Sequence, residues 1–328
     1  MTKPRIALFT LGGTIAMTVG TNGGVVPALS GDDLIAAVPN LDGIAAITVC
    51  ELARLGSANI GYGHIRTLVK KIREAVADGA DGIVVTQGTD TLAESAFVLS
   101  LLLDVDVPVI VTGAMRHPSL PSSDGPGNLL AAVQAASTPE LASCGVLLCM
   151  NDELHAAYAA EKSDTASTAA FRSRNMGPVA RLVEGRVMML ARPGRMPHIS
   201  LETDRPPRVP LISASFDDDG LLLDHLPADR AGVVIAAFGG GHLSEKMADR
   251  AAILAATCPV VLASQTGGGR ILQSTYGYQG AEIDLIGRGL IPAGAFSPEK
   301  SQILLTLLIS EKSTTPYIKR TFQDYPRF

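Results

Sequence analysis

Short apolar runs alternate with longer segments of helical period from the start of the chain. Ile6-Ala7-Leu8-Phe9-Thr10 and Ile83-Val84-Val85-Thr86 are apolar and partly β-branched, and strands are predicted at 4–10, 46–53, 82–86, 108–112 and 145–150. Between them, 63–79 spaces Ile65, Leu68, Val69, Ile72 and Val76 by threes and fours, which predicts a helix with one apolar face. Segment 91–104 opens with Thr91-Leu92-Ala93-Glu94, the Thr-x-x-Glu pattern of a helix start. Segment 124–136 begins at Asp124 and carries Leu129, Leu130 and Val133 on one side. Strands alternating with helices predict an α/β fold with a mostly parallel sheet flanked by helices.

Residues 191–210 break this rhythm. Pro193, Pro197, Pro206, Pro207 and Pro210 cannot sit inside helices or central strands, so the segment reads as a linker. It separates a larger N-terminal domain (1–190) from a smaller C-terminal α/β domain (211–328). The latter has predicted strands near 211–216, 231–237 and 259–263 and helices near 243–257 and 298–310. A chain of 328 residues is long enough for two such cores.

Composition narrows the function classes. Hydrophobic residues make up 47% of the chain and charged residues 18%, which argues against disorder. No apolar run is long enough to span a bilayer. Residues 5–16 resemble a short signal core, but they contain a Gly-Gly-Thr element with no cleavage region before it, and they read as the first strand and its loop. Net charge is −5, with no basic cluster and no tryptophan, which argues against nucleic-acid binding. Cys50, Cys144, Cys149 and Cys258 show no CxxC spacing and read as buried free thiols, suited to a reducing cytoplasm. The six histidines are scattered without metal-ligand spacing and read as surface or structural residues.

Two predicted strand ends carry chemistry. Leu11-Gly12-Gly13-Thr14-Ile15-Ala16 follows the first strand and Gln87-Gly88-Thr89-Asp90-Thr91 follows the third. In an open parallel sheet both open on the edge where ligands bind. Gly-Gly lets backbone approach a ligand and leaves the Thr14 hydroxyl exposed, although a tight turn before a helix has the same pattern. The Walker and Rossmann glycine spacings are absent. Asp90 beside Thr89 is equally read as a helix cap, and Lys162, in Ala-Glu-Lys-Ser-Asp-Thr, as a surface charge. Together they fit hydroxyl nucleophile chemistry, because a threonine is a poor nucleophile until a base such as a desolvated lysine takes its proton.

Over nearly its whole length the chain resembles the bacterial L-asparaginase/glutaminase family of threonine amidohydrolases. The resemblance rests on Gly12-Gly13-Thr14-Ile15-Ala16, Gly56-Ser57, Gly88-Thr89-Asp90-Thr91, Gly113-Ala114-Met115-Arg116, Ser123-Asp124-Gly125-Pro126 with Asn128-Leu129, Met150-Asn151-Asp152, and Ala293-Gly294 with Ser297-Pro298-Glu299-Lys300. It implies that Thr14 attacks a side-chain amide carbon, and that Thr89, Lys162 and Asp90 form a second triad handling the proton. Ser57 and Asp90 would hold the substrate's α-carboxylate and α-ammonium groups, the Ala114 backbone would meet the amide, and Gly13, Gly88 and Thr89 would line the same site. Glu282 matches a glutamate lent by a neighbouring subunit; read alone it is an exposed loop carboxylate.

The implied activity is hydrolysis of L-asparagine to L-aspartate and ammonia by a cytoplasmic homotetramer, a dimer of dimers. It uses no metal or organic cofactor, and its partner is a small-molecule substrate, not a membrane or a nucleic acid. Four departures stand out. No tyrosine occurs between residues 1 and 61, so Gly24-Val25-Val26 falls where the family carries one in the loop after the nucleophile. Ala58 stands at a substrate position where a glutamine is usual, Gly240 lies in a segment that usually carries asparagine, and Gln87 replaces a histidine. These keep two alternatives open: an amidohydrolase for glutamine or another small ω-amide, and a non-catalytic amino-acid sensor.

Overall fold

The computed structural model describes residues 2–20, 23–27 and 29–325. They form two compact units, one running through His198 and the other beginning at Ile199, within the proline-rich segment.

In the first unit the chain runs β1 (Arg5–Gly12), a hairpin of β2 (Met17–Val19) and β3 (Val25–Pro27), two short helices α1 (Gly31–Ala36) and α2 (Leu41–Ile44), then β4 (Ala46–Leu55) and α3 (Tyr62–Ala77). There follow β5 (Gly82–Thr86), α4 (Leu92–Leu102), β6 (Val109–Thr112), α5 (Gly125–Ala136) and β7 (Val146–Met150). Each predicted strand and helix of this stretch is present. α3 buries Ile65, Leu68, Val69 and Ile72, the stripe its spacing predicts. Five further strands come after β7: β8 (Glu153–Ala156), β9 (Ala160–Lys162), β10 (Phe171–Ser173), β11 (Ala180–Val183) and β12 (Arg186–Met189). At three or four residues each, they are too short to show a period. The β7–β8 turn is a two-residue loop with Asn151 and Asp152 both at positive φ (52° and 60°), the left-handed pair that a tight hairpin requires.

The helix starts are where the pattern puts them, but the expected capping side chains act elsewhere. Thr91 makes no side-chain cap; its hydroxyl donates to the Ser57 carbonyl at 2.8 Å. The Asp124 carboxylate accepts the backbone N–H groups of Met115 and Arg116 instead of capping α5.

The main sheet has the order β12-β11-β8-β7-β6-β5-β1-β4. Strands β4, β1, β5, β6 and β7 are parallel; β8, β11 and β12 are added antiparallel. From β1 the chain goes to β4 on one side, and from β5 it goes to β6 on the other. The loops leaving β1 and β5 therefore diverge, and the crevice of a doubly wound sheet opens between their carboxyl ends.

The second unit holds four parallel strands in sequential order, β13 (Leu211–Ser213), β14 (Val233–Ala237), β15 (Val260–Ser264) and β16 (Ile291–Pro292). Helices α6 (Glu245–Ala255) and α7 (Glu282–Gly287) connect them, and α8 (Pro298–Ser310) and α9 (Thr315–Asp324) follow. One core cluster joins Val233, Ile235 and Leu262 of the sheet to Met247 of α6 and Leu285 of α7.

At the β1/β5 crevice two backbones touch. Gly13 has φ 89°, and a Cβ built on it would lie 2.1 Å from the Gly88 nitrogen. No side chain fits there. Gly13→Ala is expected to lose at least about 3 kcal/mol of unfolding free energy, combining left-handed strain with overlap against rigid backbone. Gly127→Ala, where a Cβ meets nothing within 4 Å, should be neutral or slightly stabilising. Urea unfolding of the two variants checks both.

Candidate active site

The Gly13–Gly88 contact places Thr14 and Thr89 on adjacent turns at the same sheet edge. Thr14 opens a 3₁₀ turn of residues 14–16 and is half-buried. Its hydroxyl has no hydrogen-bond partner among the described residues. The β2–β3 hairpin packs against this turn through β3, whose Val26 pairs with Thr18 and is 49% exposed. Residues 18–20 and 23–24 belong to this hairpin, and Thr21 and Asn22 lie outside the described residues.

Thr89 opens a second 3₁₀ turn and is buried. Lys162, at the end of β9, reaches it: Nζ donates to Thr89 Oγ1 at 3.0 Å and to Asp90 Oδ1 at 2.8 Å. The lysine is therefore not a free surface charge, and Asp90 does not cap a helix. The Lys162 side chain is 20% exposed and that of Asp90 71%, so solvent screens the pair and its role is placement more than stability.

Ser57, in a 3₁₀ turn after β4, is buried and accepts the Asp90 N–H on its Oγ at 3.1 Å. A Cβ on Gly88 would meet the Ser57 side chain at 3.0 Å, so three loops converge around that glycine. Ala58 on the same turn is exposed and offers no polar group. Gln87 is buried; its Nε2 donates to Thr91 Oγ1 at 3.1 Å, while Oε1 has no partner among the described residues.

Ala114 is fully buried in the loop after β6. Asn128 Nδ2 donates to the Gly113 carbonyl and to Asp124 Oδ2, both at 3.0 Å, and Asp124 in turn holds the N–H groups of Met115 and Arg116. The peptide groups flanking Ala114 are thereby fixed. Gly113 also passes close to β5, since a Cβ there would lie 2.5 Å from the Gln87 carbonyl. Asp124 and Asn128, four residues apart on one helix face, are supports whose role sequence reasoning missed.

One of the expected residues, Glu282, lies in the second unit. Glu282 is not an exposed loop carboxylate: it is fully buried at the start of α7. Its Oε1 accepts the N–H groups of Thr275 and Tyr276 at 2.8 and 2.7 Å, and its Oε2 lies 3.2 Å from His242 Nε2. Burial pushes its carboxyl up, but the hydrogen bonds from Tyr276, Thr275 and His242 outweigh this and hold it below the ordinary value. His242 packs edge-on against Tyr276, and Tyr278 Oη lies 3.3 Å from its Nδ1. A Cβ on Gly240 would come within 2.7 Å of the Leu272 side chain, so a larger residue there requires that partly exposed leucine to shift. The four cysteines are free thiols; Cys144 and Cys149 are buried, whereas Cys50 and Cys258 are half-buried. Among the described residues no helix is long and apolar enough to cross a membrane.

Comparison with known proteins identifies the family. Residues 5–195 match the family model of the asparaginase N-terminal domain, and residues 208–322 match the glutaminase/asparaginase C-terminal domain. The chain is 36% identical to a protein of Deinococcus radiodurans named "Probable L-asparaginase", over 97% of both chains. It is 31% identical to L-asparaginase 2 of Escherichia coli, covering 98% of this chain and 93% of that one. A crystal structure from Campylobacter jejuni, described as a "Probable Cytoplasmic L-asparaginase", superposes with a TM-score of 0.87 at 30% identity, covering 98% of this chain and all of that one. A further relative, at 28% identity, is named glutaminase-asparaginase. With both domain models matched in order and relatives aligned end to end, the chain belongs to the asparaginase family of amidohydrolases.

Proposed function

We propose that the protein is an L-asparaginase that works through a threonine nucleophile. The observation that carries this reading is Lys162 Nζ bridging Thr89 and Asp90 on one turn, while the Gly13–Gly88 contact brings the turn of Thr14 against it. Thr14 is the more accessible threonine, and Thr89 is buried and held by the lysine. Thr14 Oγ1 attacks the side-chain amide carbon of asparagine and expels ammonia, leaving an ester on Thr14. Water then attacks the ester, releasing aspartate and restoring the hydroxyl. In this step Lys162 acts as the neutral amine: Thr14 gives its proton to Thr89 as Thr89 gives its own to Nζ, and the ammonium so formed, held by Asp90, passes a proton to the departing nitrogen. Splitting the hydrolysis in two replaces one difficult step with two easier ones. Backbone N–H groups of the strand-end turns stabilise the tetrahedral oxyanion, each by roughly 3 kcal/mol.

One observation favours a second reading, an amidohydrolase for glutamine or another small ω-amide. The exposed Ala58 offers no polar group to an α-ammonium, and each lost polar contact weakens a zwitterionic substrate by about 1–3 kcal/mol. Ammonia release from asparagine, glutamine and succinamate separates the two. The primary reading expects the highest kcat/KM for asparagine, and equal or better turnover of succinamate would overturn it in favour of the second. Thr14→Ala, Thr89→Val and Lys162→Met are each expected to lower kcat at least about 10³-fold while unfolding within roughly 1 kcal/mol of the wild type. A Thr14→Ala protein with near wild-type rates would transfer the nucleophile role to Thr89.

The assembly we propose is a cytoplasmic homotetramer in which a second copy's C-terminal unit completes each site. What supports it is the exposed aromatic surface of Tyr276 and Tyr278, braced from beneath by His242 and Glu282. Sedimentation should give four times the 34.1 kDa chain mass. Mixing inactive Thr14→Ala and Glu282→Ala proteins under subunit exchange should restore partial activity. A fully active monomer contradicts the shared site.

A further inference from the structure

His155 is the most deeply buried histidine, 1% exposed, on β8 of the main sheet. Its Nδ1 lies 2.9 Å from the Ser173 hydroxyl, and its Nε2 lies 3.5 Å from Glu153 Oε2. Glu153 is held in turn by Arg181 of the neighbouring strand β11, at 2.8 Å. Serine, histidine and carboxylate thus stand in the order of a hydrolytic triad. Burial denies them that role, because Ser173 is only 6% exposed and no substrate carbonyl reaches its oxygen.

Their position in the fold gives them another. Ser173 is on β10, which pairs antiparallel with β9, the strand that ends in Lys162. Phe171 stands opposite Lys162 and Ser173 opposite Ala160, so all four side chains emerge on one face of this two-stranded ribbon. The ribbon is separate from the main sheet. Desolvation keeps the His155 imidazole neutral, with its pKa pushed down to about 4 despite the opposing pull of Glu153. A neutral ring with its proton on Nε2, facing the carboxylate, leaves Nδ1 to accept the Ser173 O–H. The contact therefore fixes the face of the ribbon that presents Lys162.

We propose that His155 is a positioning residue for amide hydrolysis, which clamps the β9–β10 ribbon through Ser173 so that Lys162 Nζ meets Thr89 and Asp90. The kinetic part of this proposal rests on the asparaginase reading above. The geometric part does not.

The test uses His155→Leu, Ser173→Ala, the double variant and His155→Asn, whose Oδ1 takes the place of Nδ1. Two readouts are taken: kcat and KM for asparagine, and the Lys162 Nζ to Thr89 Oγ1 distance in crystals of the folded variants. Each single variant is expected to lower kcat about tenfold with KM within about twofold. The double variant should be no slower than the slower single, since both break one contact. His155→Asn should return to within about threefold of the wild type. In the His155→Leu crystal the distance should exceed 3.5 Å, against 3.0 Å in the wild type. If His155→Leu does not fold, Ser173→Ala, which loses one hydroxyl, carries both readouts. Single variants with kcat within twofold of the wild type, or an unchanged distance, overturn the clamp. If the wild type releases no ammonia from any amide, the asparaginase reading falls and the distance alone decides the clamp.

Discussion

The candidate site depends on one steric constraint, the contact between the backbones of Gly13 and Gly88. Strands β1 and β5 are neighbours in register, so their following turns leave the sheet side by side. Any Cβ at Gly13 would hold the turns apart, because the nearest atoms are main chain and cannot swing away. The loop that places Thr14 and the loop that places Thr89 and Asp90 are locked as one rigid unit. Ser57 and Gly113 close on the same point from β4 and β6. Four consecutive parallel strands of the sheet thus contribute to one cluster, and precise placement of reacting groups is what catalysis by positioning needs.

Around this cluster, side chains that local rules assign to helix ends are committed to loops. Thr91 ties its hydroxyl to Ser57, and Asp124 holds the Met115 and Arg116 amides. Each helix start forgoes a cap of about 1 kcal/mol. A loop that would otherwise have several conformers gains one. The same holds in the second unit, where the Glu282 carboxylate orders the 275–276 turn from within.

Most of the architecture was legible in the hydrophobic pattern. The strands β1, β4, β5, β6 and β7 and the helices α3, α4 and α5 are long enough, and apolar enough, for period and composition to show. The Gly-Gly-Thr and Gly-Thr-Asp-Thr motifs could be placed at strand ends for the same reason. The strands from β8 to β12 could not be read, since three or four residues carry no period and their pairing is decided by distant partners. The burial of Glu282 was also invisible. Nothing local distinguishes a carboxylate satisfied by two backbone amides and a histidine from one in water. His155 gave no signal either, because its hydrogen-bond partner Ser173 is 18 positions away in the chain.

The central claim is that Thr14, and not the lysine-bound Thr89, forms the covalent bond. Rapid acid quench of the enzyme during steady-state turnover of asparagine, followed by peptide mapping by mass spectrometry, tests it most directly. The account predicts an aspartyl ester adduct on the peptide containing Thr14 and none on the peptide containing Thr89. An adduct on Thr89, or turnover with no adduct on either peptide when ester hydrolysis is shown to be rate-limiting, would contradict it.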